Sequence, residues 1–397
     1  MFKFENNAPE KVGAKNVDRA KYVCKTNTAK KQISKLYASS VLGNLSLTGA
    51  WVAILAARGF SLVEIGASET VFHIVSLIFE IPSGVLADVF GRRKMLIVST
   101  VMRMIANVVM ILSGGLVTVC ISIGFQALAY NFSSGTGDAL AYDSLKLAGM
   151  ESGFDKYNAN QLIIYRLCSG ISTLCAGFAL FIGHRAAYGT DLITGVIQIF
   201  LLMSLYEVYP GNDGSVKNKR KIAVSATDTV NELKMCFTKS FAFIKNARNA
   251  MGLMLCNSLV GAVDILLLFY LQAKLTEKGL PEEALGFALL FMEMGGIVGS
   301  KLSVKIPKIS YKKMFVISLL LVGFGIMAEH SPLWFVMALG GFISAMADDA
   351  LQVRTNAILQ DMFPSEQRAT LTSVESFSFS IIMLFLTLPA GAFFTIW

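Results

Sequence analysis

The sequence predicts an all-α membrane protein built as two helical bundles, and three observations support that fold class. Of the 397 residues, 54% are hydrophobic and only 16% are charged, whereas soluble domains carry about 25% charged residues. Mean hydropathy is +0.59. Apolar runs of spanning length recur along the chain, each able to cross about 30 Å of hydrocarbon at 1.5 Å per residue. These features exclude an ordinary soluble enzyme and a disordered scaffold. The absence of short alternating strands excludes an outer-membrane barrel.

The first six runs fall at about 36–57, 62–86, 95–113, 116–141, 161–183 and 188–207. Five more follow at about 250–273, 284–304, 313–329, 332–353 and 371–396. Breakers such as Gly114–Gly115 and Gly279–Pro281 separate them. The organisation read from this is a basic cytoplasmic tail at 1–32, a six-helix bundle at 33–207, a linker at 208–249 and a five-helix bundle at 250–397. Within the linker, Val230, Leu233, Phe237, Phe241 and Ile244 have helical spacing. They fit either an amphipathic helix on an anionic leaflet or a solvated connector. The tail has no apolar h-region, so no cleavable signal peptide is expected.

Net charge is +8, and its placement sets the expected topology. Residues 1–35, 92–94, 146–156, 208–249 and 305–313, with Arg368, hold 27 of the 35 Lys and Arg. The alternate loops hold four, namely Arg58, Arg185, Lys274 and Lys278. Such a bias puts the N-terminus and central loop in the cytoplasm of a cell-membrane protein. The basic balance is thereby explained without a nucleic-acid partner. Six cysteines show no CxxC pair and no metal-ligand spacing. No metal, cofactor loop, Walker A loop or nucleophile–base pair stands out, so neither an enzyme nor an ATP-driven pump is expected.

Between the second and third spans stands GVLADVFGRRK. Gly84 is suited to close helix approach, Asp88 to a helix end, Gly91 to a tight turn, and Arg92, Arg93 and Lys94 to a cytoplasmic anchor. The segment resembles the signature loop of the major facilitator superfamily, G-x-L-a-D-x-x-G-r-[rk]. Similar matches are GTGDALAYDSLK (Gly135 to Lys146), PSEQRATLTSVESF (Pro364 to Phe377) and the stretch YLQAKLTEKGLPEEALGFA. The second-half echo of the loop, near Gly299 to Lys313, lacks the Asp. The resemblance covers roughly 33–397 and implies two pseudo-symmetric bundles that rock about a mid-membrane substrate site.

Three departures qualify it. A twelfth span is not visible, which suggests either a trimmed form or a partner chain covering that surface. The drug/proton antiporter branch carries an Arg where this chain has Asn131, and a Gly-Pro pair in span five where Ser169 to Ala179 has no Pro. The latter two weaken proton antiport without weakening transport.

A charge at mid-span costs about 2.5–3.5 kcal/mol on insertion scales, so each needs an account. Glu69, His73 and Glu80 share one stripe of span two with Ser76. They fit either proton exchange through His73 or a hydrogen-bonded core histidine. Arg103 and Arg166 are the cationic partners expected for first-half carboxylates. Asp138 and Asp143, with Asp88 and Arg92, fit either a charge cluster locking the bundles or interfacial solvation. In the second half, Asp264 and Glu293 are the leading cavity candidates, with pairing to Lys301 or Arg354 as the alternative. Asp348 and Asp349 are about 100° apart, so only one can face a cavity. Phe287, Phe291 and Met292 read as packing.

The expected function is secondary transport of a small molecule by alternating access, with efflux of amphipathic or cationic compounds favoured. The alternatives are a proton-coupled uptake permease, with protons as coupling ion, and a non-transporting receptor or scaffold on the same frame.

Overall fold

The computed structural model describes residues 16–208, 248–305, 309–362 and 368–396. The proposed linker helix at 228–247 therefore lies outside the described residues. The first half contains α1 (Asn16–Asn44), α2 (Trp51–Ala57), α3 (Leu62–Phe90), α4 (Arg92–Leu112), α5 (Leu116–Ser133), α6 (Thr136–Leu147), α7 (Phe154–Leu174), α8 (Ala176–Ile182) and α9 (His184–Met203). The second half contains α10 (Arg248–Glu277), α11 (Glu282–Lys305), α12 (Tyr311–Glu329), α13 (Trp334–Met362) and α14 (Arg368–Ile396). No strand occurs among the described residues.

Nine described helices or helix pairs are long and apolar enough to cross a membrane, and the pair α7–α8, bent by 49°, makes a tenth. Two of the expected spans are broken, besides the short interruption at Ser134–Gly135 between α5 and α6. The run at 36–57 ends helically at Asn44 and resumes at Trp51, and the run at 161–183 breaks at Cys175. Helix α1 also begins at Asn16, so residues 16–32, expected as a polar tail, are helical. Packing outward is apolar throughout: Phe181, Phe200, Phe287 and Met327 are each more than two-thirds exposed, as lipid-facing side chains must be. Of the three residues expected to pack, Met292 is buried, Phe291 stacks on Phe342, and Phe287 faces outward.

Reversals at Arg58, Ser113, Gly183, Lys278 and His330 share the Lys/Arg-poor end. Those at Gly91, Leu147 and Ser204 share the opposite, Lys/Arg-rich end. Capping is local and cheap: Ser61 and Glu64 form a reciprocal capping box at the start of α3.

The halves are sewn together at the Lys/Arg-poor end. Glycines allow backbone to meet backbone there. A methyl group on Gly66 of α3 would stand 2.6 Å from Thr387 O of α14, and one on Gly391 would stand 2.7 Å from Leu62 O. Gly177 on α8 and Gly286 on α11 are pressed equally against Glu282 O and Leu174 O. Thr70 and Thr387 hydroxyls meet at 2.5 Å across the same seam.

Candidate functional site

The break in the first span is the centre of the site. Backbone groups that lose helical partners inside a membrane must find others, each unsatisfied group costing several kcal/mol. Here three other helices supply them. Arg103 of α4 donates to Gly43 O at 2.7 Å and also to Gln198 Oε1. Gln198 of α9 donates to Ser39 O at 3.0 Å. Ser172 of α7 accepts from Ser46 N at 3.0 Å and donates to Asn44 O at 3.4 Å. Asp191 of α9 accepts from the Ser46 and Thr48 hydroxyls at 2.6 Å each, and from Leu47 N at 3.4 Å. Helix breaks at this depth occur where they line a cavity.

Three contiguous cavities surround it. One of about 470 Å³ lies in the first half and is lined by Asp138, Tyr157, Gln161 and Ser99 among others. The second, about 350 Å³, shares Gly43, Arg103, Gln126 and Tyr130 with it and adds Trp51, Glu69, Asn107 and Asp191. The third, about 310 Å³, lies between the halves, with Ser46, Thr173, Phe269, Gln272 and Glu293 on its wall. Hydroxyls and amides dominate the polar lining, and Trp51 meets Phe269 edge-on at 5.5 Å. Asn107 Nδ2 and Gln272 Oε1 are buried without a hydrogen-bond partner. Buried polar atoms of that kind call for an explanation, and a polar ligand would supply one.

The expected site residues divide. Glu69, Arg103 and Glu293 line the cavities. Glu293 accepts from Thr173 across the halves at 2.9 Å, rather than pairing with Lys301 or Arg354. His73 is buried behind Glu69, with Nε2 3.3 Å from Glu69 Oε1. That is ion-pair distance without hydrogen-bond alignment, and both ring nitrogens lack a hydrogen-bond partner. Its ring packs on Phe379 of α14. Glu80 reaches Ser376 of the same helix, so the stripe faces the second half. Arg166 pairs with Asp349 at 3.7 Å, which corrects its expected partnership with first-half carboxylates.

Asp264 lines none of these three cavities. It is buried inside the second half, beside Ser344 and Asp348, and its Oδ1 has no hydrogen-bond partner. Flanking apolar residues signal burial, but they do not distinguish a cavity wall from a bundle interior. The two adjacent aspartates do diverge as their spacing requires. Asp348 points at Gly261 of α10 and Asp349 at Gly296 of α11.

The described hydrogen bonds of the signature loop stay within the first half. Gly91 takes φ +100° as the turn between α3 and α4, and a side chain there would meet the Glu207 carboxylate at 2.7 Å. Arg92 donates to Ala139 O at 2.8 Å and pairs with Asp143. Arg93 donates to Met203 O at 2.7 Å, and its backbone N donates to Glu207 Oε1 at 3.3 Å. These bonds tie α4 to α6 and α9, not one bundle to the other. The Asp88 side chain lies outside the described residues. Gly84 is exposed with open space where a Cβ would stand, so it is not a point of close helix approach among the described residues.

Comparison with known proteins gives a consistent result. The sequence profile of the Major Facilitator Superfamily matches residues 36–386. The chain belongs to the major facilitator superfamily. Similar solved structures include the nucleoside transporter NupG, at 16% identity over 91% of this chain and 90% of that one, with TM-score 0.67. The D-xylose–proton symporter matches at 13% identity, over 92% of this chain and 89% of that one, with TM-score 0.59. A bacterial homologue of the human lysosomal transporter Spinster, inward-facing and unoccupied, matches at 16% identity, over 95% and 82%, with TM-score 0.60. No curated protein matches by sequence.

Three residues were missed in sequence. Asp191 lies only seven residues from the start of its span and reads there as interfacial. Lys274, counted as a loop residue, is buried and pairs with the fully buried Glu329 at 2.5 Å. Asn131, seen only as a missing arginine, is buried and exchanges hydrogen bonds with Ser76, donating to its carbonyl at 3.1 Å and accepting from its hydroxyl at 2.9 Å.

Proposed function

We propose that this facilitator takes up a small, polar, uncharged solute together with protons by alternating access in a cell membrane, with its Lys/Arg-rich end in the cytoplasm. The carrying observation is the chamber around the broken first span, rich in hydroxyls and amides and adjoining the closed glycine seam between the halves. Such a lining offers both donors and acceptors to a ligand, which suits a polyhydroxylated ring better than a purely apolar compound. The seam at the Lys/Arg-poor end fits an inward-facing state, and rocking about the chamber would open it. The similar structures named as a nucleoside transporter and a D-xylose–proton symporter are in keeping with this reading.

Efflux of amphipathic cations is the second reading. Glu69, Asp138, Asp191 and Glu293 on the cavity walls outnumber Arg103, which would suit a cation. Proteoliposomes separate the two. Under an inward proton gradient, labelled uridine or D-xylose should accumulate and a protonophore should abolish it. Accumulation of an organic cation such as tetraphenylphosphonium in place of either solute would favour the second reading.

A further inference from the structure

The oxygens of Ser46, Thr48 and Asp191 form a closed triangle. Ser46 Oγ and Thr48 Oγ1 each lie 2.6 Å from Asp191 Oδ2, and they lie 2.8 Å from one another. Every edge is a hydrogen-bond distance for oxygen pairs. Three such edges need three hydrogens, and two hydroxyls supply two. With an ionised carboxylate, one edge would set two lone pairs against each other. A proton on Asp191 fills the third edge and lets the bonds run head to tail. In that arrangement Asp191 donates to Ser46, Ser46 to Thr48, and Thr48 back to Asp191. Thr48 N donates to Ser46 Oγ at 3.0 Å, which completes the acceptor capacity of that hydroxyl.

We propose that the Asp191 carboxyl at the first-span break is a proton-binding site, loaded in this conformation, and that it carries the coupling proton of transport. The latter part rests on the proton-coupled reading above. Proton binding is an addition to one carboxylate oxygen, and release returns the proton to water, so no further reactant is involved. Arg103 of α4 stands within electrostatic reach and compensates the charge left behind. The other titratable groups facing the site are Tyr188 on α9 itself, Glu69 of α3, Tyr130 of α5, and, across the cavity that Ser46 also lines, Tyr165 of α7 and Glu293 of α11; among the described residues, α1 and α8 present none. Deprotonation would empty one edge of the triangle, so Ser46 and Thr48 must reorient, and both belong to the cavity wall. The substrate site and the proton site are thereby one piece of backbone.

The test uses the full chain in nanodiscs, followed by infrared difference spectroscopy across a pH titration. Wild type should lose one protonated-carboxyl C=O band as pH rises, and Asp191→Asn should lack that band; an unchanged set of bands in the variant overturns the proposal. Should Asp191→Asn fail to melt cooperatively, Thr48→Val carries the test. It removes a bond to the carboxyl, so the band must shift, and an unshifted band overturns the proposal equally. In proteoliposomes, Asp191→Asn should cut proton-driven accumulation of uridine or D-xylose at least about tenfold, within the usual range of coupling energies. Unimpaired accumulation overturns the coupling role. A wild-type band without uptake of either solute refutes the transport reading and upholds the proton site.

Discussion

Gly66→Ala should open the seam between the halves. The added methyl would stand 2.6 Å from Thr387 O, a backbone atom, and 2.9 Å from the Tyr270 hydroxyl. Ordinary contact begins near 3.4 Å, so α3 and α14 must separate there by about 0.8 Å, an overpacking strain of about 1–3 kcal/mol. The strain exists only while the seam is closed. In the opposite-facing state the same methyl faces an opened cleft and costs nothing. Because 1.4 kcal/mol is tenfold in an equilibrium constant, the variant should move the population toward the opposite-facing state by about 5- to 150-fold. The assay is labelling of Thr173→Cys, on the inter-half cavity wall, by an impermeant maleimide in a background without native cysteines. Its rate from the Lys/Arg-poor side should rise by a similar factor. Gly252→Ala, whose methyl meets nothing within 4 Å, should leave it unchanged. A Gly66→Ala protein that melts normally yet labels at the parental rate would refute the role given to the seam.

Three further outcomes are expected. Lys274→Met leaves the fully buried Glu329 with only the His330 ring beside it, so thermal unfolding should show a loss of about 3–5 kcal/mol; Lys274→Met with Glu329→Leu should recover most of it. Asn131→Leu strands the Ser76 hydroxyl and should cost about 1–3 kcal/mol in the same measurement, whereas a gain in stability would mean that this buried pair does not hold α3 to α5. Glu207 governs a pH dependence: burial pushes its carboxyl above the usual range, against the opposing pull of the Arg93, Arg92 and Lys94 backbone N–H groups. Folding therefore favours its neutral form, and that contribution is present below the ordinary carboxylate range and lost as pH rises through the raised value. Stability of Glu207→Gln should be flatter than wild type across that window, and identical slopes would assign the pH dependence elsewhere.

Much of the fold is legible in the sequence because bilayer thickness fixes span length, and apolar runs of that length have few other uses. The turn at Gly91 is legible for a similar reason, since only glycine takes its positive φ without strain. The breaks at 45–50 and at Cys175 are not. Both lie inside apolar runs without proline, and what holds the first open is a set of side chains on α4, α7 and α9 far away in sequence. Site residues show the same limit. Glu69, Arg103 and Glu293 were identifiable as charges inside spans. Whether a carboxylate faces a chamber, as Glu293 does, or a bundle interior, as Asp264 does, depends on the rotation of one helix against another. Asp191 was hidden by its nearness to a helix end, although its three hydrogen bonds place it at the centre of the site.

Alternating access about the broken first span is the central claim, and locking the seam tests it most directly. Thr70 and Thr387 touch through their hydroxyls at 2.5 Å, so cysteines at both positions should be close enough to be crosslinked by oxidation. In a background without native cysteines, the oxidised Thr70→Cys/Thr387→Cys protein should lose proton-driven solute uptake, and reduction should restore it. Uptake at the parental rate with the disulfide demonstrably intact would contradict the account.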